Sequence, residues 1–198
     1  MKFTSVLAFV LVAIASAESF RPVSKVLKAP EFDFDLCGTW QGECMRTSVS
    51  RTDIQVIGKR GIMGDEFVIS ILYFTGNDCV DSSFSYGIKT TYAIEEVTTT
   101  ETGRHVRAYP TASSAAMTSQ TYSGVYISCS FDVVDGEWYD VHQLAQCTNG
   151  ENLWSSEIDS IADKEYGMME YDFDIDGTTF VFDSTEQTRI SDEGCSGI

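Results

Sequence analysis

The chain has 198 residues and carries 30 acidic against 13 basic side chains, a formal net charge of −17 at pH 7. This acidity opposes the phosphate backbone of nucleic acids and anionic membrane surfaces, so neither is expected as a partner. A basic protein or a cation is the partner that the charge itself could attract, although most surface charge only keeps a protein in solution.

The first residues are typical of an export signal. Lys2 precedes a short apolar run, and residues 15–17 read Ala-Ser-Ala, a small-residue cleavage site. No later apolar run is long enough to span a membrane, so we expect a secreted, soluble product. The chain is predicted to divide into a signal peptide, an N-terminal arm and one folded domain, at residues 1–17, 18–35 and 36–198.

Residues 18–30 suggest a second destination. Arg21, Lys25 and Lys28 outnumber the single acid, Glu18. A basic, acid-poor segment behind a signal peptide resembles the two-part presequence of plastid proteins in algae with secondary plastids. Secretion to the extracellular space is our prediction, and the plastid of such an alga is the alternative.

Three strands are predicted in the first part of the domain. They cover residues 38–46, which include Trp40, residues 53–57 and residues 66–74. The third strand is apolar on both faces, which predicts a central or covered position in the sheet.

The longest strand is predicted at residues 84–94. Phe84, Tyr86, Ile88 and Tyr92 occupy alternate positions of this segment, and small or polar residues fill the gaps. Strict alternation gives a strand with one buried face, so these four side chains are expected to face one interior. A strand of this length among shorter ones indicates a curled sheet or a barrel.

The next segment is predicted to contain two strands and a loop. A short strand at residues 104–109 is expected to end at Pro110, because proline cannot donate a ladder hydrogen bond. Residues 111–120 are small and polar, which predicts a loop. Another strand is predicted at residues 121–131.

Two Asp-Gly pairs predict hairpin turns, at residues 135–136 and 176–177. A two-residue loop at the second pair would place Phe173 opposite Phe180 and Tyr171 opposite Phe182, with all four rings on one face. Such a hairpin would bring these aromatic residues into the interior of the sheet.

A single short helix is predicted between the two turns. Residues 152–166 have apolar side chains at helical spacing, and Ser156 is a plausible N-terminal cap. The chain lacks the alternation of strands and helices that a parallel sheet needs. We therefore predict a mainly β domain, a single antiparallel barrel of about eight strands with one short helix, stapled by disulfides.

Acidic residues near the second turn match the opening of an EF-hand calcium loop: Asp172, Asp174, Asp176 and Gly177. The twelfth position holds Asp183, where a glutamate is usual, and the flanks alternate like strands. The hairpin explains these acids as a solvated face. No metal site and no cofactor are therefore predicted.

Catalytic motifs are weak in this sequence. Asp140 and His142 could form a triad with one of many serines, but there is no Gly-x-Ser-x-Gly elbow. Acidic residues are so abundant that no pair stands out for glycoside hydrolysis. No catalytic residue is predicted, and a protein without enzymatic activity is favoured over an enzyme.

Aromatic residues are the remaining signal. In a barrel they could form a solid core, or they could line a cavity for one small ligand. Tyrosines favour the cavity slightly, because each buried hydroxyl needs a partner. The candidate ligand-binding residues are Trp40, Phe67, Tyr73, Phe84, Tyr86, Tyr92, Tyr126, Phe173 and Phe180.

Short motifs are spread over residues 36–184. They are Gly38-Thr39-Trp40 with Cys44, Asp78-Cys79 ahead of the long strand, and Cys147 with Trp154 and the hairpin at residues 171–182. Together they resemble the lipocalin-like barrels, in the variant where a cysteine follows the Gly-x-Trp opening, as in the extracellular domain of the adenomatosis-polyposis-coli down-regulated protein and in small exported bacterial barrels. The resemblance implies an antiparallel barrel that can hold an apolar cavity.

Six cysteines follow the signal, and an even number in an exported chain implies three disulfides. Zinc binding is the competing interpretation, but there is no Cys-x-x-Cys pair. Cys44 and Cys79 belong to the lipocalin-like pattern, whereas Cys37 and Cys195 lie outside it and could join the chain ends. The expected pairs are Cys44 with Cys79, Cys129 with Cys147, and Cys37 with Cys195.

Two functional hypotheses follow, with a weaker third. In the first, the barrel binds a small apolar or lipid-like ligand in a cavity of at least about 300 Å3, facing Trp40, Tyr86, Tyr126 and Phe173. In the second, a secreted acidic protein with a solid core acts through its surface, for example in a matrix. The third is a lyase or isomerase that acts on an apolar pigment.

Overall fold

The structure, a computed structural model, describes residues 36–59, 62–76, 78–118, 128–176 and 179–195. The predicted signal peptide and N-terminal arm lie outside these ranges. Most of the strand predicted at residues 121–131, including Tyr126, also lies outside them.

Eight strands form a closed antiparallel barrel. Around the barrel, each strand pairs with the next one along the chain, and the last pairs with the first. A ninth strand of two residues, β6, pairs with β5 outside this circle. The predicted fold class, a mainly β antiparallel barrel of about eight strands, is confirmed. The strands are β1 (Gly38–Gly42), β2 (Ser50–Lys59), β3 (Ile62–Phe74), β4 (Phe84–Thr99), β5 (Gly103–Met117), β6 (Tyr139–Asp140), β7 (Met169–Asp176), β8 (Thr179–Phe182) and β9 (Thr185–Ser191).

The long strand predicted from alternation is β4, and three of its four predicted inward residues lie on the inner face. Tyr86 pairs with Tyr73 of β3, and Tyr92 pairs with Phe67, which is completely buried in the interior. Phe84 is the exception. A register irregularity after Tyr73 places Phe84 opposite Phe74 and against Gly87 on the outer face.

The prediction that a strand ends at Pro110 is wrong, because β5 continues to Met117. Pro110 lies opposite Tyr92, beside an irregularity in the pairing of β4 with β5. Proline is accepted in a sheet at such an irregularity, where it need not donate a ladder hydrogen bond. Residues 111–117 therefore belong to the strand and not to a loop.

The two predicted turns have different outcomes. The hairpin of β7 and β8 is present, but Asp176 pairs with Thr179 and Phe173 with Phe182, a register two residues from the predicted one. A shift of two keeps the same side chains inside, so Phe173, Phe180 and Phe182 are all buried. At residues 135–136 there is a turn, but no strand precedes it in residues 128–134.

Two α-helices are present in the described residues where one was predicted. They are α1 (Val141–Ala145) and α2 (Gly150–Ala162), and a 3-10 turn covers Asp81–Ser83. Helix α2 begins at Gly150, so Ser156 lies within the helix and does not cap it. A side chain at Gly150 would collide with the backbone oxygen of Leu144. Glycine therefore allows α2 to start directly against the end of α1.

One end of the barrel is filled with aromatic rings. Trp40 lies 4.9 Å from Phe180 between ring centroids, and Phe67 lies 5.2 Å from Phe173. The indole of Trp40 also donates a hydrogen bond to the backbone oxygen of Leu36, which closes this end. Each fully buried ring of this kind contributes about 2 kcal/mol of hydrophobic stabilisation. We call this region the packed end.

The three predicted disulfides are confirmed. Cys37 pairs with Cys195 at the packed end, where it joins the residue before β1 to the segment after β9. The second pair, Cys44 with Cys79, joins the connection after β1 to the connection after β3. The third pair, Cys129 with Cys147, ties the segment before β6 to the connection between the two helices.

Candidate functional site

The inner face of β3 changes from buried to exposed along its length. Phe67 is 0% exposed and Ile69 is 6% exposed, whereas Ile71 is 37% and Tyr73 is 36% exposed. These side chains alternate on one face, so the interior is sealed at the packed end and opens toward the end of β3. We call this second end the mouth.

The two helices lie where β5 separates from β7. Pairing of β5 with β7 ends at Ala108, and farther along, Ser114 and Ala115 pair with β6 instead. Helix α2 packs into this region through Trp154, which is 1% exposed and lies 6.2 Å from Tyr86 between ring centroids. The helix therefore extends the interior beyond the closed part of the barrel.

A cavity of about 390 Å3 lies between α2 and the inner faces of β3, β4 and β5. The chain between α2 and β7 forms its remaining wall. Its lining is mainly apolar, with hydroxyl groups and one carboxylate. The lining residues are Ile71, Ile88, Thr90, Tyr92, Pro110, Ser113, Ser156, Glu157, Ser160, Tyr166, Gly167, Met168 and Met169.

Most hydroxyl groups in the cavity already have partners. The Thr90 and Ser113 hydroxyls lie 3.1 Å apart in a hydrogen bond between β4 and β5. The Ser160 hydroxyl donates to the backbone oxygen of Ser156 at 2.7 Å. In contrast, the Oε2 atom of Glu157 is buried and accepts no hydrogen bond from the described residues.

Two tyrosines near the cavity keep their protons at neutral pH. Burial raises the pKa of Tyr92, and hydrogen bonds with Tyr171 and Thr90 oppose that effect only in part. Burial also raises the pKa of Tyr86, and the negative charge of Glu157 adds to the shift. Both phenols are therefore neutral groups with a hydroxyl donor.

The predicted ligand-binding residues occupy four different places. Tyr92 lines the cavity, while Tyr73 and Tyr86 stack at the mouth with centroids 5.3 Å apart. Phe84 lies on the outer face, and Tyr126 lies outside the described residues. The other four belong to the packed end: Trp40, Phe67, Phe173 and Phe180.

The cavity lies away from two of the four residues that it is predicted to face. Trp40 and Phe173 pack against neighbouring aromatic residues at the packed end, whereas Tyr86 lies at the mouth and Tyr126 lies outside the described residues. The space opens instead beside Thr90, a small residue on the inner face of β4. Its second wall comes from α2, which sequence reasoning had not placed against the sheet.

Glu157 is the functional candidate that the sequence analysis missed. A signal for it was present, because Trp154, Ile158 and Ile161 share one face of α2 and Glu157 lies on that same face by helical spacing. An acidic residue on the apolar side of a helix is unusual and indicates a special environment. The serines at positions 156 and 160 gave no comparable signal.

A second concavity of about 430 Å3 lies on the outer surface beside the Cys44–Cys79 disulfide. Arg51 is its main polar group, and it donates to Asp53 at 2.9 Å and to the backbone oxygen of Cys79 at 3.1 Å. Burial raises the pKa of Asp53, and contact with Arg51 opposes this shift. Because the guanidinium group is already paired and the concavity is shallow, the cavity under α2 is the stronger candidate.

No protein-family model matches the chain, and the curated proteins contain no significant match to it. Within the described ranges, no helix is long and apolar enough to cross a membrane. The same part of the chain contains no cluster of three or more His, Cys, Asp or Glu side chains placed to hold a metal ion.

Proposed function

We propose that this protein is a secreted barrel that binds a small apolar or lipid-like ligand in the cavity under α2. The observation that carries the proposal is the cavity itself, about 390 Å3 in volume and continuous with the exposed inner face at Ile71. Pockets that bind small molecules are mostly apolar, with a few polar groups, and measure about 300–1,000 Å3. Three disulfides support the proposed extracellular setting.

Most of the aromatic stacking lies at the packed end, whereas Tyr92 stacks on Phe67 and also lines the cavity. Ile88 and Tyr92 of β4 supply apolar contacts on one side of the cavity, and Met168 supplies them on another. Methionine adapts to ligands of different shape, which suits a site for a flexible apolar molecule.

A cavity-filling variant tests this proposal. Ser160 lines the cavity from α2, so Ser160→Phe should occupy the ligand volume without disturbing the packed end. The neutral fluorescent probe N-phenylnaphthylamine should bind the wild-type protein, and the variant should weaken that binding about tenfold or more, equivalent to about 1.4 kcal/mol. Fluorescence titration measures both affinities.

Ser155→Phe is the matched control, because Ser155 is exposed on the same helix and does not line the cavity. This variant should bind the probe as the wild-type protein does. Equal loss in both variants would assign the effect to the helix as a whole. If the wild-type protein binds no probe, the proposal fails, and an acidic protein acting through its surface becomes the better account.

A further inference from the structure

We infer that the ligand carries a protonated amine and that this group binds Glu157. The inference rests on the proposed function and adds the chemical class of the ligand. It starts from the position of one carboxylate in a mainly apolar cavity.

Glu157 is held toward the barrel by the packing of its own helix. Trp154, three residues earlier, is fixed in the apolar cluster under α2, and Ile158 and Ile161 pack against that cluster. Side chains three and four residues apart share a helix face, so Glu157 lies on the same side of α2. Its Oε2 atom is buried as a result, although most acidic side chains remain in water.

This carboxylate oxygen accepts no hydrogen bond from the described residues. Leaving a buried acceptor unpaired is unfavourable, and more so when the group is charged. Because Glu157 lines the cavity, rotation of its side chain would bring this oxygen to a ligand donor, which removes the unpaired acceptor, and a cation adds a charge-assisted bond. A neutral hydrocarbon cannot do either.

The other cavity residues reinforce this selection. Among the described residues that line the cavity there is no lysine, arginine or histidine, so the wall offers no positive group to a ligand carboxylate. The negative charge of Glu157 also acts electrostatically on the neighbouring Tyr86 and contributes to the raised pKa of its phenol. The net charge of −17 favours the approach of cations and opposes that of anions.

Three ligands with the same apolar tail test the inference: octylamine, octanol and octanoate. Each is used to displace N-phenylnaphthylamine at neutral pH. Octylamine should displace the probe at a concentration about tenfold lower than octanoate requires, with octanol in between. In Glu157→Gln, the advantage of octylamine over octanol should disappear while octanol binds as before.

Glu151→Gln is the matched control, since it removes the same charge from an exposed position on the same helix. It should leave the order of the three ligands unchanged. Octanoate binding as tightly as octylamine would overturn the inference, and so would an amine preference that survives in Glu157→Gln or is lost equally in Glu151→Gln. In those cases binding of the neutral probe would still support the proposed function, whereas no probe binding at all would remove both.

Discussion

At the residue scale, His105 contacts two acidic side chains on the outer surface of the barrel. Its Nδ1 atom lies 2.8 Å from Asp172 of β7, and its Nε2 atom lies 3.7 Å from Glu170. The hydrogen bond with Asp172 is the main reason that the pKa of His105 lies above its ordinary value of 6.5. Because the folded pKa is raised, protonated His105 favours the folded state. This contribution is complete below about pH 6.5 and is lost as pH rises through the folded pKa.

Asp172→Asn should therefore lower the pKa of His105. The titration of its imidazole proton resonances by NMR measures the change directly. Glu170→Gln is the control, and its effect should be smaller because the distance is longer. An unchanged pKa in Asp172→Asn would show that the contact is absent in solution.

At the element scale, some strands could be predicted from the sequence more clearly than others. In β4, large apolar residues alternate with small or polar ones, so both the strand and its inner face could be predicted. In the second half of β5, inward Ser113 and Ala115 differ little in size or polarity from outward Ala112 and Ser114. The alternation of side chains that marks a strand therefore cannot be seen in this segment. Pro110 instead favoured the prediction that the strand ends there, which is wrong.

The position of helix α2 was also not predictable from the local sequence. The apolar spacing of α2 predicted a helix, but spacing alone could not show which sheet surface it would cover. That depended on β5 leaving β7 after Ala108, a long-range pairing with no local signal. The cavity is formed by this arrangement of elements, so its size could be anticipated from the barrel class while its location could not.

At the scale of the whole molecule, the disulfides are expected to contribute unequally to the stability of the fold. The Cys37–Cys195 bond closes a loop with a sequence separation of 158 residues, and Cys129–Cys147 closes one of 18. In the chain-entropy model these loops correspond to about 5 and about 3 kcal/mol of stabilisation at 25 °C. The longer loop restricts the unfolded chain more, so its removal should be the more costly of the two.

Two double variants test this order. Cys37→Ala with Cys195→Ala should reduce the free energy of unfolding by about 2 kcal/mol more than Cys129→Ala with Cys147→Ala. Guanidinium titration followed by circular dichroism gives both values. The reverse order would mean that local packing around the helices, and not closure of the whole barrel, is the main contribution of these bonds.

The central claim for the molecule is that one end of the barrel is a solid core and that ligand binding occurs under α2. Methyl NMR of the isoleucines during titration with N-phenylnaphthylamine tests it most directly. Ile71 and Ile88 line the cavity, whereas Ile54 is buried at the packed end and Ile190 is exposed on β9. We expect saturable shifts of the Ile71 and Ile88 methyl resonances, with those of Ile54 and Ile190 unchanged. Binding that shifts Ile190 and leaves Ile71 and Ile88 unmoved would contradict the account.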